Sequence, residues 1–338
     1  MNVKISTRRF MVVLLGSGIL FFMPLFANAH VKWFTDVQPE KVNIESILSP
    51  LFITLTLVVS LLLAALTQLL PMLSGSKFIQ RVDARLDQVR TYSIRILTYG
   101  LAAALCIQVI TGSLFVPDFE INSVIEIVLI WSAIILLLVP HHYATKLAAL
   151  IIFSLLISVT VDAGVFHMLD YGFYFAIVGT LLVQKTKLSA WGYPLLYLGT
   201  GLSLCWVALE KFVFPTMAID IIQKHGVPVF GFSPEVFVVL AAFIEFVVGY
   251  LLVVGILNRL LSFVLTLIFI STTMLFGWTE VVGHFLIHII LITFIMEGVS
   301  FYKPPVQMHR TLVDRMVFVS LNFIFVLFTF MLIYYRYA

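Results

Sequence analysis

The sequence predicts an all-α polytopic membrane protein with about ten transmembrane helices after a cleaved signal peptide. Its 338 residues are 62% hydrophobic and only 11% charged, whereas soluble domains carry roughly a quarter charged residues. Mean hydropathy is +1.11, and apolar runs of membrane-spanning length recur along the chain. A net charge of +3 without a dominant basic run excludes a nucleic-acid partner. Two cysteines exclude a disulfide framework and a thiolate zinc cluster.

Residues 1–29 have the pattern of a signal peptide. Cations at Lys4, Arg8 and Arg9 precede an apolar stretch, and Ala27-Asn28-Ala29 supplies the small-x-small pattern of a cleavage site. The alternative is an uncleaved signal anchor, because the apolar stretch exceeds the usual ~7–15 residues. Cleavage would make His30 the first residue of the mature chain.

Ten apolar runs follow the signal peptide. They lie near 46–71, 93–113, 123–140, 145–161, 168–184, 194–214, 236–257, 260–278, 283–300 and 316–334.

The cations give these helices an orientation. Starting from an outer N-terminus, twelve Lys and Arg fall on the cytoplasmic side and five on the outer side, as the positive-inside rule requires. The twelve are Lys77, Arg81, Arg85, Arg90, Arg95, Lys146, Lys185, Lys187, Arg259, Lys303, Arg310 and Arg315, and the five are Lys32, Lys41, Lys211, Lys224 and Arg336. The chain is therefore predicted to lie in a bacterial inner membrane with a periplasmic mature N-terminus. The mixed charges between Ser74 and Tyr92 predict a short solvated helix with i,i+4 pairing.

An internal repeat is predicted between residues 93–187 and 188–300. Cys106 followed by Pro117 recurs as Cys205 followed by Pro215, and His167 falls opposite His284. Each copy has four helices, so the two units would be parallel repeats; chance similarity between apolar segments is the alternative. Residues 30–92 then hold the N-terminal segment, first helix and cytoplasmic loop, and 301–338 a loop and the last helix.

The second unit resembles the DoxX-like family of small four-helix membrane proteins. The resemblance rests on Trp206 with Glu210-Lys211, on the segment from Ile244 to Gly255, and on Asn258-Arg259. Ala208 replaces the glycine that usually precedes the lysine by three residues. The resemblance implies a compact membrane bundle associated with thiol, sulfur or quinone-linked redox chemistry.

A metal site is predicted on the outer side. The α-amine and imidazole of a mature His30 can chelate one ion, and Glu280, His284 and His288 follow at four-residue spacing on one helix face. Imidazoles suit copper or zinc. His167 lies at the equivalent position of the first unit, between Asp162 and Asp170. The alternatives are hydrogen-bonded interior histidines, and an N-terminal segment anchored in the membrane interface by Lys32, Trp33 and Phe34.

Other polar residues are predicted inside the membrane. Glu245 lies about ten residues into its helix, where a charge is costly and usually functional. It is expected to be protonated, paired with Lys211 or linked to a cation; the alternative is a polar contact that only holds two helices together. Glu210 and Asp162 are the other candidates, and the loop that holds His225 is long enough to form a lid.

Three functions remain open from the sequence. The first is a membrane protein with a periplasm-facing metal- or redox-linked site, served by a periplasmic redox or metal-handling protein. The second is a transporter or channel component for a cation or protons, and the third is a non-catalytic anchor or assembly subunit of a periplasmic redox enzyme. The inner halves of the helices are almost wholly apolar, which disfavours the transporter. No catalytic residue is predicted.

Overall fold

The computed structural model describes residues 33–74, 77–298 and 311–338. The signal peptide and His30 lie outside the described residues. The longer helices are α1 (Pro50–Ser74), α2 (Lys77–Val89), α3 (Ser93–Ile110), α4 (Val124–Leu138), α5 (His142–Ala163), α6 (Gly172–Val183), α7 (Gly192–Val213), α8 (Pro215–His225), α9 (Pro234–Val254), α10 (Asn258–Phe276), α11 (Trp278–Glu297) and α12 (Leu312–Tyr337). Single helical turns precede α1 at Ile44–Ile47 and α6 at Val165–Met168.

The membrane class is confirmed. Eight helical segments of the described chain are long and apolar enough to cross a membrane, and the apolar parts of α1 and α4 are shorter. Ten helices therefore occupy the ten predicted apolar runs, and the protein is a multi-pass membrane protein.

Two elements on the predicted outer side were not expected from the sequence. Strands β1 (Ser113–Leu114) and β2 (Val116–Glu120) form an antiparallel hairpin between α3 and α4. Helix α8 occupies the loop between α7 and α9; it begins at Pro215 and ends at Gly226, whose φ of +62° is the left-handed conformation that favours glycine. Both elements cover the end of the bundle that is predicted to face outwards, which is called the outer end; the opposite end is called the inner end.

The helices enclose two large apolar cores, and a small third cluster lies between α8 and α9. One core lies among α3 to α7 and α11 and includes Leu101, Leu156 and Phe294, and the other lies among α1, α7, α9 and α12. Helix α7 borders both. Its Gly201 meets Gly249 of α9 so closely that a Cβ on either residue would lie 2.6 Å from the other's carbonyl oxygen. Small residues allow such close helix packing in membranes. Gly249, which lies in the same helix as Glu245, therefore has a packing role.

Helix α2 confirms the short helix expected between the first two spans, but its predicted internal pairing is wrong. Asp83 and Asp87 pair with Arg259 at the start of α10. Arg259 also donates to the carbonyl oxygens of Ile295 (2.9 Å) and Met296 (3.1 Å), which are among the last carbonyls of α11 and lack partners within the helix. The aspartates therefore dock α2 on the inner end of the bundle.

The two predicted repeat units each have a side-chain contact between their first and last helices. Gln108 of α3 donates to the hydroxyl of Tyr174 on α6 at 2.9 Å, and Tyr197 of α7 stacks on Phe294 of α11 with ring centroids 3.8 Å apart. The rotation expected to relate the two units stays a prediction.

Candidate functional site at the outer end of the bundle

Glu280 and His284 form a pair at the start of α11. Gly277 separates α10 from α11, so that both residues lie in the first two turns of the helix, four residues apart on one face. His284 Nδ1 lies 3.1 Å from Glu280 Oε2. Thr272 of α10 donates to Glu280 Oε1 at 2.6 Å. Each carboxylate oxygen therefore has a polar neighbour within the protein, and Glu280 is only 3% exposed to solvent.

Aromatic rings hold the His284 imidazole in place. Phe269 of α10 stacks on it at 4.9 Å between centroids, and Trp33 lies against it at 5.2 Å. Trp33 also covers Gly283, where a Cβ would lie 2.0 Å from the indole ring. The absence of a side chain at position 283 thus lets the N-terminal segment dock on the histidine.

The N-terminal segment from Trp33 to Asp36 is tied to α8. Thr35 donates to Asp220, Lys224 pairs with Asp36 at 2.8 Å, and His225 Nε2 lies 3.2 Å from the carbonyl oxygen of Phe34. The Lys224 ammonium lowers the pKa of the Asp36 carboxyl, and Asp36 raises the pKa of Lys224. The segment and α8 therefore form one cover over the outer end.

The two aromatic residues of the expected membrane anchor also pack within the protein. Phe34 stacks on Phe276, with centroids 4.5 Å apart, while Trp33 packs on Gly283 and His284. Both rings therefore have partners within the protein, and the prediction that they pin the segment to the membrane surface stays a prediction.

An apolar cavity of about 200 Å³ lies beneath this cover. Its polar lining residues are Lys211 and His284, and its apolar lining residues are Phe34, Ala218, Ile221, Ile222, Val227, Phe237, Val238, Ala241 and Phe276. Helix α8, in the loop that was expected to form a lid, supplies part of the wall. The arrangement suits an apolar ligand that carries a small number of hydrogen-bonding atoms.

Lys211 pairs with Glu245 across α7 and α9. Lys211 Nζ lies 2.6 Å from Glu245 Oε2, and the two side chains are 21% and 22% exposed. Of the three states expected for Glu245, the structure shows the pair with Lys211. The preceding residue, Glu210, is fully buried. The Lys211 ammonium on the cavity wall therefore has the Glu245 carboxylate as its partner, and their attraction offsets much of the free-energy cost of burying the charge.

A second histidine–carboxylate pair lies at the same end, on other elements. His167 Nε2 is 3.3 Å from Asp118 Oδ2 of the hairpin, and the hydroxyl of Tyr171 donates to the same oxygen at 2.8 Å. The rings of Phe119 and Tyr171 flank the imidazole, which is 4% exposed. This pair is enclosed by protein and does not border the cavity.

The predicted metal ligands are only partly brought together. Glu280 and His284 meet, while His288, one turn further along α11, lies against the edge of Phe269. His167 belongs to the Asp118 pair, and Asp162 is exposed at the end of α5. Within the described ranges, no group of three or more His, Cys, Asp or Glu side chains is arranged to hold a metal ion.

The sequence interpretation missed the role of Asp118 and the cavity wall supplied by α8. Pro215 at the first helical position and Gly226 just past the end were signals for that helix. Asp118 has no comparable signal, because its partner His167 is 49 residues away and on another element.

Residues 193–278 match the family model described as DoxX. The match spans 86 of the 338 residues, from the second residue of α7 to the first of α11, and confirms the predicted resemblance over that segment. Lys211 and Glu245 lie within the match, whereas Glu280 and His284 follow it directly. No curated protein and no solved structure matches the chain significantly.

Proposed function

We propose that the protein holds a redox-linked site at its outer end, in which the cavity binds the head group of a quinone-class ligand. The observation that carries this proposal is that the His284–Glu280 pair borders an apolar cavity whose other polar lining residue is Lys211. The redox associations implied by the DoxX resemblance agree with it. The proposed location is a bacterial inner membrane, with this end in the periplasm.

The lining residues fit such a ligand. Phe34, Phe237 and Phe276 give the cavity aromatic walls, and an apolar ring gains free energy by leaving water for such a site. His284 and Lys211 can hydrogen-bond to ligand oxygens, which fixes orientation in a pocket that is otherwise apolar. A quinone supplies reversible two-electron, two-proton chemistry when it is bound.

The protein's own contribution is a proton acceptor in a fixed orientation. With Nδ1 facing Glu280, a neutral His284 protonated there has Nε2 as an acceptor for a proton or for a quinol hydroxyl, whereas the imidazolium has an Nε2–H that donates to a quinone oxygen. Protonation at Nε2 gives an imidazolium whose charge is stabilised by the Glu280 carboxylate 3.1 Å away. Thr272 holds that carboxylate from the other side, so that His284 can hold a proton without moving. Electrons would be exchanged with a periplasmic redox protein on the outer face.

The test is binding of a short-chain quinone to the purified protein, followed by quenching of tryptophan fluorescence, since Trp33 contacts His284. His284→Gln is expected to weaken binding about tenfold or more, as for the loss of a hydrogen bond worth roughly 1.5–3 kcal/mol. His167→Gln is the matched control, because it changes a buried histidine of the same end outside the cavity. Equal affinity in all three proteins, or equal loss in both variants, contradicts the proposal.

A metal site shared by His30 and His284 is a second candidate, favoured by one observation. Trp33 lies against His284, and His30 precedes Trp33 by three residues, which span at most ~11 Å. The Glu280–His284 pair also resembles the carboxylate–histidine arrangement that orients a metal-bound imidazole. Copper or zinc would then bind His284 together with the amine and imidazole of His30, with Glu280 in support.

Metal content and N-terminal sequence of the detergent-purified mature protein test this candidate. A residue inserted before His30, and separately His284→Ala, should each remove the metal, while His167→Ala should retain it. The insertion leaves the cavity residues intact, so it separates the two candidates: quinone binding should persist when metal binding is lost. A mature protein without metal contradicts the metal site. If it binds neither metal nor quinone, the remaining function is that of a non-catalytic anchoring subunit.

A further inference from the structure

Helix α2 has three faces, each with a different chemistry. Lys77, Arg81 and Arg85 are spaced four residues apart and form a basic stripe, and all three are exposed. Asp83 and Asp87 form an acidic stripe about 200° around the helix from Arg81 and Arg85, at ~100° per residue. Between the two lie Val82, Leu86 and Val89, and the two valines are 37% and 39% exposed.

The acidic stripe fixes how the helix lies on the bundle. Asp83 and Asp87 are separated by a full turn and both reach the guanidinium of Arg259, which is itself bonded to the last carbonyls of α11. Arg90, in the helical turn just after α2, pairs with the buried Glu297 at 2.9 Å. These contacts hold α2 at the level of the helix ends, where the bilayer has its head groups.

The remaining two faces of α2 have the pattern of a helix at a membrane surface. Exposed valines beside an exposed basic stripe allow apolar side chains to enter the acyl boundary while cations meet phosphates. No ion pair is found for Lys77, Arg81 or Arg85 within the described residues, so their charges are available to a partner outside the chain. We propose that this basic stripe binds the head groups of anionic phospholipids in the predicted cytoplasmic leaflet.

Lipid selectivity in vesicles tests the proposal. The full chain is reconstituted in phosphatidylcholine vesicles with trace spin-labelled phosphatidylglycerol or spin-labelled phosphatidylcholine, and the relative association constant is measured from the motionally restricted fraction. The wild type should prefer phosphatidylglycerol. The double variant R81Q/R85Q should lose that preference, by up to about fivefold for each cation removed.

K185Q/K187Q is the matched control, because it removes two exposed cations on the same predicted face but outside α2. It should keep the wild-type preference; an equal loss there, or none in R81Q/R85Q, overturns the proposal. R81K/R85K preserves the charge and should preserve the preference, which keeps the test valid if the glutamine variant does not fold. High salt should remove the wild-type preference, and a wild type without one overturns the proposal by itself.

Discussion

Two histidine–carboxylate pairs lie at the outer end of the bundle, and they differ in what surrounds them. His284 and Glu280 are 3.1 Å apart beside an apolar cavity, whereas His167 and Asp118 are 3.3 Å apart in a closed environment. Asp118 also accepts a hydrogen bond from Tyr171, while Glu280 accepts one from Thr272. The same chemical pair is therefore a candidate binding site in one place and a structural link between hairpin and helix in the other. Access to a cavity is what distinguishes them.

The strongest way to break this comparison is to fill the cavity. Ala241→Phe places a large ring in the space beneath α8 and should reduce quinone affinity more than a hundredfold, because the head group and the ring would occupy the same volume. Fluorescence quenching measures the affinity. Ile244→Phe on the same helix is the control, since Ile244 is 58% exposed and should bind as the wild type does. Unchanged quinone affinity in Ala241→Phe would show that the cavity is not the quinone-binding site.

The carboxylates provide a sharper comparison of the two pairs. Asp118→Asn should lower the free energy of unfolding by about 1–3 kcal/mol, because a buried tyrosine hydroxyl and an imidazole lose the charged oxygen they share, and it should leave quinone affinity within twofold. Thermal denaturation in detergent measures the first quantity and quenching the second.

Glu280→Gln is the partner variant, and it should lower quinone affinity because the imidazolium form of His284 loses its stabilising charge. The opposite pattern, with Asp118→Asn deficient in binding and Glu280→Gln normal, would exchange the roles assigned to the two pairs.

The smallest expected effect is that of pH on the cover over the cavity. The pKa of Asp36 lies below its ordinary value of 3.8 because of Lys224, so the pair's contribution is fully present above pH 3.8 and is lost as pH falls through the lowered value. The pKa of Lys224 lies above its ordinary value of 10.5, so the contribution is also lost as pH rises through the raised value. The pair is exposed, and its effect should be small and sensitive to salt.

Hydrogen exchange of residues 33–43, normalised to the intrinsic rate at each pH, measures this effect. Protection should decrease modestly between pH 6 and pH 3 in the wild type. Lys224→Gln should already have the lower protection at pH 6 and should change less with acidification. An identical pH response in both proteins would show that the Lys224–Asp36 pair does not hold the cover, which would then depend on the other contacts of the segment.

Residues that lie close together in the chain were predictable in their geometry. Apolar runs of spanning length predicted the ten helices, and the four-residue spacing of Glu280 and His284 predicted that they meet, because a helix places residues i and i+4 on one face. The segment from Trp206 to Arg259 predicted the resemblance that the DoxX match confirms. The lid was expected from the length and turn residues of its loop.

Pairs that are distant in the chain were decided by packing. Lys211 and Glu245 meet because Gly201 and Gly249 allow α7 and α9 to approach closely, and sequence reasoning could state that pair only as one of three options. Trp33 packs on Gly283 and His284, which are about 250 residues away in the chain, and no local pattern in the sequence indicated that contact.

The sequence by itself determined the membrane class, the helices and the pairs within one helix, since these depend on composition and on a period of 3.6 residues. The tertiary structure decided which histidine borders a cavity, which cation Glu245 pairs with, and that Arg259 binds Asp83 and Asp87 across 172 to 176 residues of chain. Long-range contacts depend on which helix faces meet. In a chain this apolar, nearly every helix face is compatible with both lipid and protein, so the pattern of hydrophobicity does not select among them.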